Sequence, residues 1–369
     1  MQKIKYYQPE FLDQMRIQTD HVADQAVASI FESGQPALFR KLINELKTNS
    51  YQIPSSLPEE VKLFLNDSRK LPVWADRKMV ELGQDFFKKH ASSLTLMLGL
   101  LSLPYDYAAA NGAQVLLLSE RMQYDTGKRL AETGRYVFDV ASPGSFSQEG
   151  SAIASAQKVR LVHASIRYHI KKMGSWNKQW GQAINQEDMA GTNLSMSLMP
   201  VRGMRKLGIE VSQKESLAYI HLWNLASYCM GVDERLLPDT SKEAFVLNKM
   251  IAERQFRQSE AGVLLTKALL NYIHDNSPAR LQWLAPKYMR FLLGDKVSDI
   301  LDIPKSALFE AWLLNPLKYW NQTKNILQRS GDTFYDARTM YRKNTKKVLS
   351  NQEVLISLPK GLKTSNKLI

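Results

Sequence analysis

The chain has 369 residues, of which 44% are hydrophobic and 23% charged, with a formal net charge of +13 and a single cysteine. That composition supports a large buried core and excludes disorder of the whole chain, and one cysteine excludes a disulfide framework and a cysteine-ligated zinc site. The positive excess favours an anionic partner such as a nucleic acid, a membrane surface or an acidic ligand, but much of it is local.

Taken in chain order, nearly every long segment reads as helix. The N-terminal MQKIKYYQPEFLDQM has no apolar core of the kind a signal peptide needs, so none is expected. Ser56-Leu57-Pro58-Glu59 has capping-box spacing ahead of Val61, Leu63, Phe64 and Leu65. The most apolar stretch, Leu94 to Leu103, is stopped by Pro104 and Asp106; a bilayer span takes roughly 20 apolar residues, so this predicts a buried helix. A long helix is expected from about Ala113 to Val140. After the Ser-, Gly- and Pro-rich loop ASPGSFSQEG another helix opens near Gly150-Ser151 and closes with Lys171, Lys172 and Gly174, as dipole and C-cap preferences favour.

Ser212-Gln213-Lys214-Glu215 repeats the capping-box spacing before a helix that stops at Gly231, with Pro238 beyond it. Cys229 lies in an apolar run and reads as a buried, inert thiol. After Pro304 the helical pattern weakens, with a break at Pro316 and fraying expected beyond about residue 345. There Arg342, Lys343, Lys346, Lys347, Lys360, Lys363 and Lys367 stand against the single acid Glu353. Strand signals are scarce. The predicted class is all-α: residues 1–70 as helices docking on a core at 71–300, and 301–369 as C-terminal helices with a basic tail.

One constellation carries chemistry. On a helix, residues three and four apart share a face, so His163 aligns with Arg160 and Arg167, bordered by Val159 and Ile166, with Ala156 and Ala164 as small neighbours. Arg129 and Thr133 share a stripe on the preceding helix. A haem needs this set: one neutral imidazole for the iron, arginines for the propionates, apolar surface for the macrocycle and a hydroxyl near the open face. The competing reading is a satisfied core histidine beside salt-bridged arginines.

The same residues carry a resemblance. Arg129-x-x-x-Thr133 followed by Val159-Arg160-Leu161-Val162-His163-Ala164-x-x-Arg167 resembles the core of the latex clearing protein (rubber oxygenase) family, which includes fungal oxygenases of mycophenolic acid biosynthesis. Leu71-Pro72-Val73-Trp74 with Gly83, and Ala218-Tyr219-Ile220-His221-Leu222-Trp223 with Gly231-Val232 and Leu237-Pro238, resemble its flanking segments. The likeness spans roughly residues 70 to 300.

What the resemblance implies is a globin-like helical core holding haem b, with His163 as proximal ligand. Arg129 and Thr133 would lie in the pocket, and Arg160 and Arg167 would be structural or propionate-side residues. The implied activity is cleavage of a carbon–carbon double bond of a lipophilic substrate by dioxygen. Two departures stand out. Glu132 occupies the position where the best-known members place a lysine that caps the iron. The upstream glutamate of those members has only Glu120 as a nearby candidate.

The alternatives are a haem-binding sensor or peroxidase-like protein, and a helical interaction protein without haem. No zinc finger or RNA-binding signature points to nucleic acid. A cytoplasmic location with peripheral membrane contact fits a lipophilic substrate.

Overall fold

The computed structural model describes residues 7–118, 126–305 and 333–349. Among them there is no strand, and one isolated antiparallel bridge joins Ala109 to Phe256. The helices are α1 (Pro9–Ile17), α2 (His21–Glu32), α3 (Pro36–Glu45), α4 (Glu59–Asp67), α5 (Arg77–Met97), α6 (Leu103–Tyr107), α7 (Ala110–Leu118) and α8 (Thr126–Ala141). They continue as α9 (Ala152–Met173), α10 (Gln186–Lys206), α11 (Gln213–Cys229), α12 (Ser241–Gln255), α13 (Glu260–Asn276), α14 (Leu284–Leu293), α15 (Asp295–Ile300) and α16 (Phe334–Leu349).

Side-chain caps set several of the helix starts, each satisfying backbone N–H groups that the helix itself leaves unpaired. Asp76 accepts from the N–H groups of Lys78 and Met79 to open α5, and Asn185 accepts from that of Asp188 to open α10. Ser212 and Glu215 form the reciprocal capping box that their spacing predicts. The first such spacing does not form a box. Pro58 takes the N-cap position of α4, its extended backbone holds the chain out of the helix until Glu59, and Ser56 stays in the preceding turn. Gly174 (φ +69°) and Gly231 (φ +79°) end α9 and α11 in the left-handed conformation that glycine adopts without strain.

The core forms where α5 crosses α11. Gly83 permits the crossing, because a Cβ there would stand 2.6 Å from the Ala218 carbonyl oxygen. Phe86, Phe87, Phe138, Tyr219, Leu222 and Trp223 fill this layer. Helices α10 and α12 cover α11 on one side; α8 and α9 pair beside it, and α16 lies across α8 and α5. The N-terminal helices dock laterally, α2 on α4 and α9, and α1 on α10.

The apolar stretch at Leu94–Leu103 is buried helix, but it is interrupted. α5 ends in a single π-helical segment, Leu98–Ser102, which passes directly into α6 through Pro104. Such bulges change which face of the continuing helix is presented to its neighbours. Among the described residues no helix is long and apolar enough to cross a membrane. At the other end, α16 continues to Leu349, so the basic residues Arg342 to Lys347 lie on helix rather than on the frayed chain expected beyond residue 345. The expected Ala113–Val140 helix corresponds to α7 and α8; residues 119–125 between them, and with them Glu120, lie outside the described residues. So do residues 306–332, which contain the Pro316 break.

Candidate functional site

Helices α6 to α12 enclose a cavity of about 300 Å³ with mainly apolar walls, within the range of small-molecule sites. One wall is built by α8 and α9. Along α9, Val159, Val162, His163 and Ile166 line the cavity, a stripe set by the helical period. Along α8 the lining residues are Arg129, Leu130, Glu132, Thr133 and Tyr136. The structure thus brings His163, Arg129 and Thr133 onto one wall.

His163 is enclosed by protein. Burial first, then the charges of Arg167 and Arg129, press its pKa down to about 3, so the imidazole is neutral at ordinary pH. Its Nδ1 is buried with no hydrogen-bond partner among the described residues, which leaves Nε2 as the ring nitrogen that meets the cavity. Arg129 makes no ion pair or hydrogen bond to any described residue, although its charge acts on both His163 and Tyr107. The Thr133 hydroxyl is likewise without a partner among the described residues. Glu132, one residue before it, is buried against the same cavity.

Arg160 and Arg167 have a different place. Neither lines the cavity. Arg160 donates from Nε to Asp20 Oδ2 at 2.6 Å and from Nη2 to Asp20 Oδ1 at 2.8 Å. Arg167 donates from Nε to Asp24 Oδ1 at 2.7 Å. Both guanidinium groups pair with carboxylates at the start of α2, Asp20 as its N-cap and Asp24 in its first turn; α2 packs on the α9 flank beside the His163 stripe, and buried ion pairs of this kind fix one helix against another.

The facing wall comes from α6, α10 and α12 and carries residues that the sequence pattern did not single out. Asp106 reaches the cavity because α6 continues the helix beyond the π turn. Read as a helix stop, the Pro104–Asp106 segment concealed this. Burial, reinforced by the charge of Asp188, pushes Asp106 up to about 8 against a hydrogen bond from Ser195. Asp188 is pushed to about 6 by burial, opposed by its ion pair with Arg16 at 3.0 Å and its hydrogen bond from Asn185 at 2.7 Å. The only available signal was a lone acid just after an apolar run.

The remaining histidines do not join the cavity. His221 accepts from the Asp76 N–H at 3.1 Å, and His90 sits at a kink in α5. Cys229 is buried, its thiol pushed up to about 12 by burial, which keeps it protonated and inert.

Three likenesses accompany this geometry. The sequence pattern of the family described as ER-bound oxygenase mpaB/B'/Rubber oxygenase, catalytic domain, matches residues 88–318. The rubber oxygenase of Streptomyces sp. (strain K30) is 25% identical over 294 residues, 79% of this chain and 72% of that protein. The structure of latex clearing protein in the closed state has the same fold, with a TM-score of 0.78 at 24% identity, covering 93% of this chain and 94% of that one.

Proposed function

This chain belongs to the family of the ER-bound oxygenases mpaB/B' and rubber oxygenase and is an oxygenase, and on that premise we propose that its cavity is the seat of a haem b ligated by His163. The observation that carries this reading is a neutral, cavity-facing imidazole beside a guanidinium with no counter-charge among the described residues. A positive charge beside an apolar cavity favours an anion, and a haem propionate supplies one. The donor set also suits it. Among the described residues no three His, Cys, Asp or Glu side chains converge on a common point, and a haem, whose macrocycle brings its own nitrogens, asks the protein for a single axial ligand.

In this reading His163 holds the iron through Nε2, Arg129 pairs with a propionate, and Thr133 presents a hydroxyl on the cavity side. When bound, the haem supplies the iron chemistry by which dioxygen cleaves a carbon–carbon double bond into two carbonyl groups. The apolar walls would bind the chain of an isoprenoid or unsaturated lipid and exclude water, a substrate class suggested by the rubber named for the Streptomyces relative. Residues 71–300 would form the globin-like haem-binding unit. Residues 1–70 would brace its His163 helix through Asp20 and Asp24, and residues 301–369 would add C-terminal helices and the basic tail. Exposed Arg338, Arg342, Lys343, Lys346 and Lys347 on α16, with exposed Tyr335 and Met340, support a peripheral contact with anionic lipid from the cytoplasmic side.

Family membership sets aside the interaction protein without catalysis. Protein supplied with haem should consume dioxygen when an unsaturated isoprenoid is added and release carbonyl products. A Soret band with no substrate-dependent uptake across terpenes and unsaturated lipids would favour the sensor or peroxidase-like reading, which Glu132 in place of a lysine also suits.

A further inference from the structure

The facing wall of the cavity holds a hydrogen-bond conflict. Ser195 Oγ lies 2.8 Å from Asp106 Oδ2 and 2.9 Å from the Thr192 carbonyl oxygen. A serine hydroxyl has one proton and cannot donate to both. The conflict disappears if Asp106 carries a proton on Oδ2: that proton goes to Ser195 Oγ, and Ser195 donates to Thr192. Burial beside Asp188 favours this protonated form at neutral pH.

The arrangement leaves one atom over. Asp106 lines the cavity, and its Oδ1 has no partner among the described residues. With the proton on Oδ2, Oδ1 is a carbonyl-type acceptor and nothing else. Oδ1 opens on the cavity, so a hydrocarbon that displaces water from it strands an acceptor, whereas a ligand bringing a donor pairs with it. The neighbouring Tyr105 also lines the cavity; its oxygen already accepts from Asn248 Nδ2 at 2.7 Å. These polar groups sit on α6, α10 and α12, while His163, Arg129 and Thr133 lie on α8 and α9.

We propose that Asp106 Oδ1 receives a hydroxyl at the end of the substrate, so that the cavity selects a lipophilic chain bearing an O–H donor rather than a plain hydrocarbon. The inference rests on the reading of this cavity as the substrate site of an oxygenase. It extends that reading by naming a polar terminus and the residue that reads it. Sites built to hydrogen-bond a substrate hydroxyl reject analogues lacking it far more strongly than apolar pockets reject a missing methylene.

The test is the affinity of the purified full-length protein for farnesol, farnesyl methyl ether and farnesene, measured by titration calorimetry, with haem content read from the Soret band of the same samples. Farnesol should bind about tenfold or more tighter than the ether, which has the oxygen but no donor, and than the hydrocarbon. Asp106→Asn keeps a carbonyl acceptor and should keep the preference. Asp106→Leu should erase it and bind farnesene at least as tightly as the unaltered protein does.

Equal affinities of the unaltered protein for the three ligands would overturn the proposal even if Asp106→Leu failed to fold. An unchanged preference in a folded Asp106→Leu protein would overturn it as well. A missing Soret band with the preference intact would sink the haem reading alone, whereas a normal Soret band without the preference would sink this inference alone.

Discussion

Removing the Asp20 carboxylate should cost the protein more than any other single truncation on the α2 flank. Asp20 accepts both hydrogen bonds of the Arg160 fork, and it also accepts from the Ala23 N–H as the N-cap of α2. The two side chains are 5% and 10% exposed, so solvent screens the pair little. Breaking such a pair leaves a buried guanidinium uncompensated, at about 3–5 kcal/mol, and losing the cap adds about 1 kcal/mol. Asp20→Ala should therefore destabilise the fold by about 4–6 kcal/mol, read as a lower denaturation midpoint at unchanged slope.

The double variant Asp20→Ala with Arg160→Met tests the mechanism. If the cost is a stranded charge, the double variant is more stable than Asp20→Ala alone, because an apolar side chain of similar size packs against Phe64, over whose ring the guanidinium now lies. A loss below about 1 kcal/mol for the single variant, or a double variant no more stable than it, would refute the reasoning. Because Arg160 does not line the cavity, a folded double variant should bind haem as the unaltered protein does.

Further outcomes follow from the packing and from the cavity. Gly83→Ala should lower Tm with a loss of about 1–3 kcal/mol, because the added methyl meets the Ala218 carbonyl oxygen at 2.6 Å and Leu222 Cβ at 2.9 Å across the α5–α11 crossing. Thr133→Val should leave stability within about 1 kcal/mol, since the hydroxyl has no partner among the described residues, yet lower kcat about tenfold or more at unchanged haem content; an unaffected kcat would remove Thr133 from the active wall. Asp106 binds its proton more tightly in the folded chain, with a pKa near 8 against an ordinary value of 3.8. The folded state therefore holds more protons between these limits, and the stabilisation from the protonated acid is full below pH 3.8 and lost as pH rises towards 8. Stability of the unaltered protein relative to Asp106→Asn should fall across that window in pH-dependent denaturation curves, and a flat difference would contradict the burial of this acid.

Much of the helical frame is legible in the sequence because it depends on local chemistry. The Ser212–Glu215 box, the Gly174 and Gly231 ends and the 3.6-residue period around His163 are set by neighbours within a turn or two. The first box fails for a local reason of another kind, since Pro58 displaces the helix start by its own backbone preference. What the period could not reveal is which neighbour each face meets. Arg160 and Arg167 flank His163 in sequence, but their partners Asp20 and Asp24 are about 140 positions away. Asp106 escaped for the same reason, since its place depends on a π turn whose Ser102 hydroxyl donates to the Ser195 carbonyl oxygen on α10, a tertiary contact with no local signature.

One absorption spectrum tests most directly whether His163 holds a haem. Purified protein supplied with haem should show a stoichiometric Soret band, and folded His163→Ala should lose it. A normal Soret band in His163→Ala, or none in the unaltered protein, would contradict the account.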